Sequence, residues 1–259
     1  MALDVETYLD AENKMSIYCI SVFDGDKSKS FYLTDYKNID SLIKDLLSTI
    51  FNRKYSGKKI YIHNSSEFDL IFLLKYIVSY GSVKVEPIIK DGKFISIDIR
   101  FGPYFMYNVL FRDSILLLPD SLAKLGKAFK LDNVKDLFPH KFVTKDNLNY
   151  KGTVPTFDFF DTSKVSKDEY LSYCSRFPNN DWSLKNEAIK YCELDCKSLY
   201  EVIMSFSNQI FKEFKVNTST TPPNGVTITR QVLHLKYLGH SLYLQVLKSL
   251  RSQVKYSRI

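Results

Sequence analysis

The sequence has no run of 18 or more apolar residues, so no helix able to cross a bilayer, and no membrane partner, is expected. It has only four cysteines, Cys19, Cys174, Cys192 and Cys196, and none forms a Cys-x-x-Cys pair of the kind that holds zinc. Buried free thiols in a reducing compartment are the expectation. Alanine is scarce, at five residues, while Lys, Asn, Ile, Tyr and Phe abound. That bias resembles an AT-rich coding sequence, such as an organellar genome or a plasmid. The opening residues, Met1 to Glu6, show neither the basic, apolar pattern of a secretory signal nor an Arg-rich transit peptide. Internal repeats and low-complexity tracts are absent too.

What is present argues for a folded protein. The chain has 259 residues, 45% of them hydrophobic, enough for a sizeable core in one large domain or two smaller ones. The formal net charge of +7 suits a polyanionic partner or simply a Lys-rich solvated surface. Strand patterns cover residues 3–7, 15–23, 30–33, 59–63, 83–89, 93–100 and 104–112, with Asp91-Gly92 as a hairpin turn. Helical periodicity covers residues 39–51, 68–80 and 121–129. Ser183 can cap a long helix reaching about Phe211. Residues 132–166 read as irregular, 218–225 as a connector, and 227–259 as basic and helical. Strands first, then strands alternating with helices, predict a mixed α/β sheet covered by helices.

Four carboxylates stand out at three places. Asp4 and Glu6 are two apart on a strand, so they share a face and repel unless a cation sits between them. Alone, that pair would be an ordinary solvated strand end. Asp69 lies in the first turn of a helix, beside the apolar run Leu70 to Leu74. Capping at a helix N-terminus would account for it in isolation. Tyr191 and Asp195 are four apart on the long helix and share a face with Leu184, Ala188, Leu199 and Val202. An unpaired charge in such a stripe is expensive, and the neighbouring Lys190 and Lys197 point elsewhere. Taken together, the four could converge on two divalent ions about 4 Å apart, the arrangement that serves in-line phosphoryl transfer. Asp and Glu suit Mg²⁺, and Tyr191 could orient an attacking water.

At these residues the sequence resembles the 3′–5′ exonuclease domain of family B DNA polymerases, in the protein-primed branch of phages and linear plasmids. Leu3-Asp4-Val5-Glu6-Thr7 resembles its first exonuclease motif, His63-Asn64-Ser65-Ser66-Glu67-Phe68-Asp69 its second, and Tyr191-Cys192-Glu193-Leu194-Asp195 its third. The tyrosine implies the subclass with Tyr, not His, in the third motif, on a ribonuclease H-like (DEDDy exonuclease) mixed sheet flanked by helices. Phe111-Arg112-Asp113-Ser114 and Leu118-Pro119-Asp120-Ser121-Leu122 resemble the segment that binds a single-stranded 3′ end, with Ser114 preferred over Ser121. Lys135-Asp136-Leu137-Phe138 resembles the motif that supplies a catalytic lysine.

The resemblance implies that Asp4, Glu6, Asp69 and Asp195 hold two Mg²⁺ or Mn²⁺ and that Tyr191 and Lys135 assist the attack. Thr7, Asn64, Phe68 and Ser114 would hold the DNA end. It also implies as partners a terminal-protein primer and a separate polymerase part, and a mitochondrial setting, organelle- or plasmid-encoded. The expected organisation is an exonuclease domain over 1–211, then a connector and the truncated start of a polymerase region over 212–259. Polymerisation motifs are missing. Tyr237 to Leu244 echoes one, but Leu238 replaces its metal-binding Asp and Leu244 its Pro. The expected function is therefore that of a fragment that proofreads DNA and does not polymerise it. The alternatives are a catalytically inactive DNA-binding remnant and an RNA-directed exonuclease of the same fold.

Overall fold

The computed structural model describes residues 1–64, 69–90, 93–131 and 136–214. In chain order these form β1 (Ala2–Leu9), β2 (Met15–Phe23), β3 (Ser28–Tyr32), α1 (Ile39–Ile50), β4 (Lys58–Ile62), α2 (Asp69–Ser79), β5 (Lys84–Lys90), β6 (Lys93–Phe101), β7 (Tyr107–Asp113), α3 (Leu122–Ala128), β8 (Lys151–Gly152), α4 (Lys167–Cys174), β9 (Trp182–Ser183) and α5 (Leu184–Phe214), with short 3-10 turns between. The Asp91-Gly92 turn, Phe68, Lys135, the connector at 218–225 and the basic stretch at 227–259 lie outside the described residues.

Among the described residues the expected elements form; the differences are a later start for β7, the helix α4 and the two-residue strands β8 and β9. Strand β7 starts at Tyr107, not Tyr104, because Tyr104 and Phe105 adopt left-handed φ values of 51° and 56°. Gly102 makes that turn possible. Its own φ is 77°, and a Cβ there would meet the Tyr107 ring at 2.6 Å. Helix α4 was not anticipated, since it is short and carries no clear apolar stripe. It starts on a capping box, in which Ser166 and Glu169 satisfy each other's backbone N–H groups.

The chain divides into two units. One comprises Ala2–Ile50 and Lys135–Lys197. Its strands pair antiparallel in the order β1-β2-β3. Strand alternation separates two faces. Leu3, Val5, Ile20, Val22 and Phe31 share the apolar one, and Asp4, Glu6, Cys19, Ser21 and Ser30 the other. A bulge interrupts the β1–β2 pairing, since Glu6 faces Cys19 but Thr7 faces Ile17. The extra residue, Tyr18, therefore joins Cys19 in one buried cluster with Tyr8, Tyr32, Phe138, Trp182, Leu184 and Tyr191. Helix α1 buries Leu42, Ile43, Leu46, Leu47 and Ile50, the stripe its periodicity predicts.

The other unit comprises Met1, Phe51–Val134 and Ser198–Ile259. Here β4 runs parallel to β7, and β7, β6 and β5 pair antiparallel, so the sheet is mixed. The amino terminus is tied in, with the Met1 amine donating to the Lys59 carbonyl at 2.9 Å.

Two networks in the first unit bear on stability. Trp182 is fully buried, and its Nε1 donates to the Tyr173 hydroxyl at 2.8 Å, which in turn donates to Glu187 at 3.0 Å. Asp136 accepts two hydrogen bonds from Arg176, at 3.0 and 3.1 Å, and one from Lys190 at 3.0 Å. Burial works against the Asp136 charge, but Arg176 and Lys190 outweigh it and hold the carboxyl below its ordinary pKa.

Trp182→Ala should destabilise the protein by about 3–5 kcal/mol, the usual cost of emptying a large aromatic site, measured by denaturant unfolding. The Asp136 value is depressed in the folded state. Its contribution is therefore present above the unfolded carboxylate pKa of about 4 and is lost as pH falls through the lower folded value. Asp136→Asn should lower the melting temperature at neutral pH and weaken its dependence on pH in the acid range, read by thermal melts across pH.

Candidate active site

Strand β1 carries Asp4 and Glu6 toward the same side, as strand alternation requires, opposite Ser21 and Cys19 of β2. Glu6 is only 9% exposed, and Asp4 is partly buried. Three contacts set the rotation of α5 over this face. The Cys192 thiol donates to the Asp4 carbonyl at 3.5 Å and the Cys196 thiol to the Ser21 carbonyl at 3.1 Å. The Ser30 hydroxyl donates to the Glu193 carboxylate at 2.7 Å. Small and weakly polar side chains on this face let the helix backbone come close. Ser183, whose hydroxyl accepts from the Asn186 N–H at 3.4 Å, starts the helix where the sequence placed it.

With that rotation Tyr191 and Asp195 turn inward, 4% and 7% exposed. Burial pushes the Tyr191 hydroxyl far above its ordinary pKa, and Asp195, Glu6 and Asp4 push it further. All three carboxylates therefore lie within electrostatic reach of this phenol, which stays protonated and acts as a neutral hydrogen-bonding group. Its ring packs between Phe138 and His140, with centroids 5.1 Å away in each case. The His140 Nε2 lies 3.3 Å from the Tyr191 hydroxyl, and its Nδ1 lies 3.8 Å from Glu6 Oε2. Neither nearby lysine is spent on Asp195. Lys190 binds Asp136, and Lys197 lies 3.9 Å from Glu193.

Asp4, Glu6 and Cys192 each offer a ligand atom, all within 4.8 Å of one another. Two carboxylates this close and this buried fit a hard divalent cation, which would relieve their repulsion and takes oxygen ligands. The Cys192 thiol is already engaged with the strand backbone. Thr7 is half-buried on β1 at the bulge that follows Glu6.

Asn64, Asp69 and Ser114 belong to the other unit. Asn64 follows β4 with a left-handed φ of 59°. Just before it, His63 places Nδ1 2.9 Å from the Ser114 hydroxyl and Nε2 2.9 Å from the Asp120 carbonyl. A carbonyl only accepts, so Nε2 carries a proton. Ser114 sits just past the end of β7, as expected, but is 1% exposed and also lies 3.1 Å from the Ile62 carbonyl. Its hydroxyl positions His63 and the end of β4 from inside the fold. Ser121, the other serine of that segment, caps α3 through the Lys124 N–H at 3.4 Å. Asp69 opens α2, and its side chain lies outside what the structure describes, as do Phe68 and Lys135.

The sequence reading missed His140, Cys192 and His63 as members of these arrangements. Phe138-Pro139-His140 was visible as a break in an irregular stretch, but nothing local says that it folds back on Tyr191. Cys192 could have been found from the helix, since it follows Tyr191 directly and precedes Cys196 by one turn.

The family profile of DNA polymerase type B, organellar and viral, matches residues 49–254. A probable DNA polymerase of Ascobolus immersus is 35% identical over 83% of this chain, and one of Neurospora intermedia 33% identical over 92%. The chain spans only 18% and 25% of those two proteins. Among solved structures, phi29 DNA polymerase complexed with single-stranded DNA superposes with a TM-score of 0.52 at 16% identity, over 90% of this chain and 34% of that one. That likeness gives the fold, which is the ribonuclease H-like α/β sheet with flanking helices that the motifs implied. The chain belongs to the organellar and viral type B DNA polymerases, the protein-primed branch that its motifs resemble.

Proposed function

We propose that this chain carries a metal-dependent 3′–5′ exonuclease that trims single-stranded DNA ends. The observation that carries the reading is the pair of carboxylates Asp4 and Glu6, within 4.8 Å of one another, beside the helix that buries Tyr191 and Asp195 and bonds to the Asp4 carbonyl through Cys192. In this reading Asp4, Glu6 and Asp195, with Asp69, hold two Mg²⁺ or Mn²⁺. When bound, such ions neutralise charge on the attacking and leaving oxygens of an in-line displacement. Tyr191 stays protonated and hydrogen-bonds the attacking water, so it is not the base that takes the water's proton. Lys135 assists the attack, while Thr7, Asn64 and Phe68 hold the DNA end. Ser114 contributes by fixing His63, the residue before Asn64. The solved relative bound to single-stranded DNA supports this substrate class.

In this reading residues 1–211 form the exonuclease domain and the start of a polymerase region follows, in a chain that spans 18% and 25% of two of its relatives. A terminal-protein primer and a separately encoded polymerase part are the partners such a fragment calls for. The setting proposed with it is mitochondrial, as the product of an organelle or plasmid gene.

The test uses 5′-labelled single-stranded DNA with and without Mg²⁺. Stepwise shortening from the 3′ end should require the ion. It should fall more than about 100-fold in Asp4→Ala, the scale of losing a group that stabilises the transition state. Tyr191→Phe should slow it less. Shortening that persists in EDTA, or is unchanged in Asp4→Ala, would overturn the reading. An RNA oligonucleotide of the same sequence separates DNA from RNA preference.

A further inference from the structure

We propose that the turn at residues 104–106 is a second contact point for single-stranded DNA, at the end of the sheet away from Asn64 and Ser114, where Tyr104 and Phe105 stack on bases while Arg53 and Lys58 meet phosphates. The proposal concerns binding alone and does not need the exonuclease reading.

Tyr104, Phe105 and Met106 follow one another in sequence and are 96%, 44% and 69% exposed. Two of the three also hold left-handed φ values, which bulky residues avoid. Backbone held in such a conformation clusters at sites of contact, where the surrounding structure supports it. Here the support is a set of packed rings within the same unit. Phe101 stacks on Phe51 with centroids 5.4 Å apart, Phe51 meets Tyr80 edge-on at 5.3 Å, and Phe101 lies 5.9 Å from Tyr107.

Cations flank the turn. The Arg53 guanidinium lies 5.9 Å from the centre of the Tyr107 ring. The loop that carries it is bound to the start of β7, with the Gly57 N–H donating to the Asn108 carbonyl at 2.8 Å and the Asn108 N–H to the Ser56 hydroxyl at 3.4 Å. Arg53, Lys54 and Lys58 are exposed, and neither residues 51–58 nor residues 101–108 include an Asp or Glu. Asp98, deeper along β6, accepts from the Asn108 side-chain amide at 2.9 Å. Exposed rings beside exposed cations match a strand that carries base faces and phosphates together. A duplex keeps its base faces stacked inside. An apolar protein surface would strip water from the cations without pairing them.

Strands β4 and β7 run parallel, so Asn64 and Ser114 follow their far ends. With seven residues in β7, the turn and Ser114 are about 20 Å apart. The turn can therefore hold a strand whether or not that strand ends at Asn64.

The test measures binding of the full chain to a fluorescein-labelled oligothymidylate by anisotropy in EDTA. Tyr104→Gly removes the ring and relieves the left-handed φ, so its melting temperature should equal or exceed that of the wild type. Its affinity for the single strand should fall at least about fivefold, the low end of what one stacked base supplies. Tyr104→Phe keeps the π face and should bind within about twofold of the wild type. Arg53→Gln should reduce the slope of log affinity against log salt by about 0.7, the share of one phosphate on a single strand, and Tyr104→Gly should leave that slope unchanged. A closed circular single strand, which has no 3′ end, should show the same dependence on Tyr104, and a duplex should show none.

Unchanged single-strand affinity in Tyr104→Gly, or an equal loss with duplex, would overturn the proposal. Self-association that Tyr104→Gly abolishes, with DNA affinity unchanged, would give the turn to a second copy of the chain and overturn it as well. A wild type that shows this pattern of binding but never shortens DNA would sink the exonuclease reading and leave the second contact standing.

Discussion

Asp4 and Glu6 place two negative charges on one side of a single strand, with little water around them, and the surrounding structure answers to that charge. The face they occupy is lined on β2 and β3 by Cys19, Ser21 and Ser30, groups small enough for α5 to approach and polar enough to bond to it. The opposite face takes the branched and aromatic side chains. One strand thus serves core and chemistry at once by alternation alone. Among the described groups around the two carboxylates are a phenol kept protonated, an imidazole, and a thiol bonded to a backbone carbonyl. Two carboxylates this close repel, and a bound cation relieves that repulsion.

Helix α5 is the second half of that arrangement, and its alignment is secured far from the carboxylates. Lys190 lies one position before Tyr191 on the helix and is anchored to Asp136, which Arg176 also holds. Asp136 opens the described segment that leads to Phe138 and His140. The same ion network that stabilises the unit therefore ties the helix bearing Tyr191 to the loop bearing Phe138 and His140. A change at Asp136 would be felt first as lost stability and then as a loosened site, because the two share one set of contacts.

How much of this the sequence discloses depends on the range of the interaction. Alternation put Asp4 and Glu6 on one face, and helical spacing put Tyr191 and Asp195 on another, because those periods are local and hold everywhere. The same rule showed that Lys190 and Lys197 turn away from Asp195. Three things were not legible. Phe138 and His140 reach Tyr191 across some fifty residues, through a loop whose path is set by tertiary packing and the Asp136 pairs. The interior role of Ser114 depends on the parallel pairing of β4 with β7, which no local pattern states. The turn at Tyr104 and Phe105 runs against the usual preference of bulky residues, so a strand was expected where the backbone reverses.

The bulge between Glu6 and Thr7 has a consequence for the hairpin that contains it. Above it, Ala2 to Glu6 pair residue for residue with Phe23 back to Cys19; below it, Thr7 to Leu9 pair with Ile17 back to Met15, one step out of phase. In an unbroken ladder, a residue gained or lost in the loop at residues 10–14 would slide the whole register and turn both carboxylates to the opposite face. Here the ladder has a joint beside the last carboxylate. The half nearest the loop can slip, and the joint can take up the step, while Asp4 stays opposite Ser21 and Glu6 opposite Cys19. The hairpin thus separates a tip free to drift in length over evolutionary time from a base that is not.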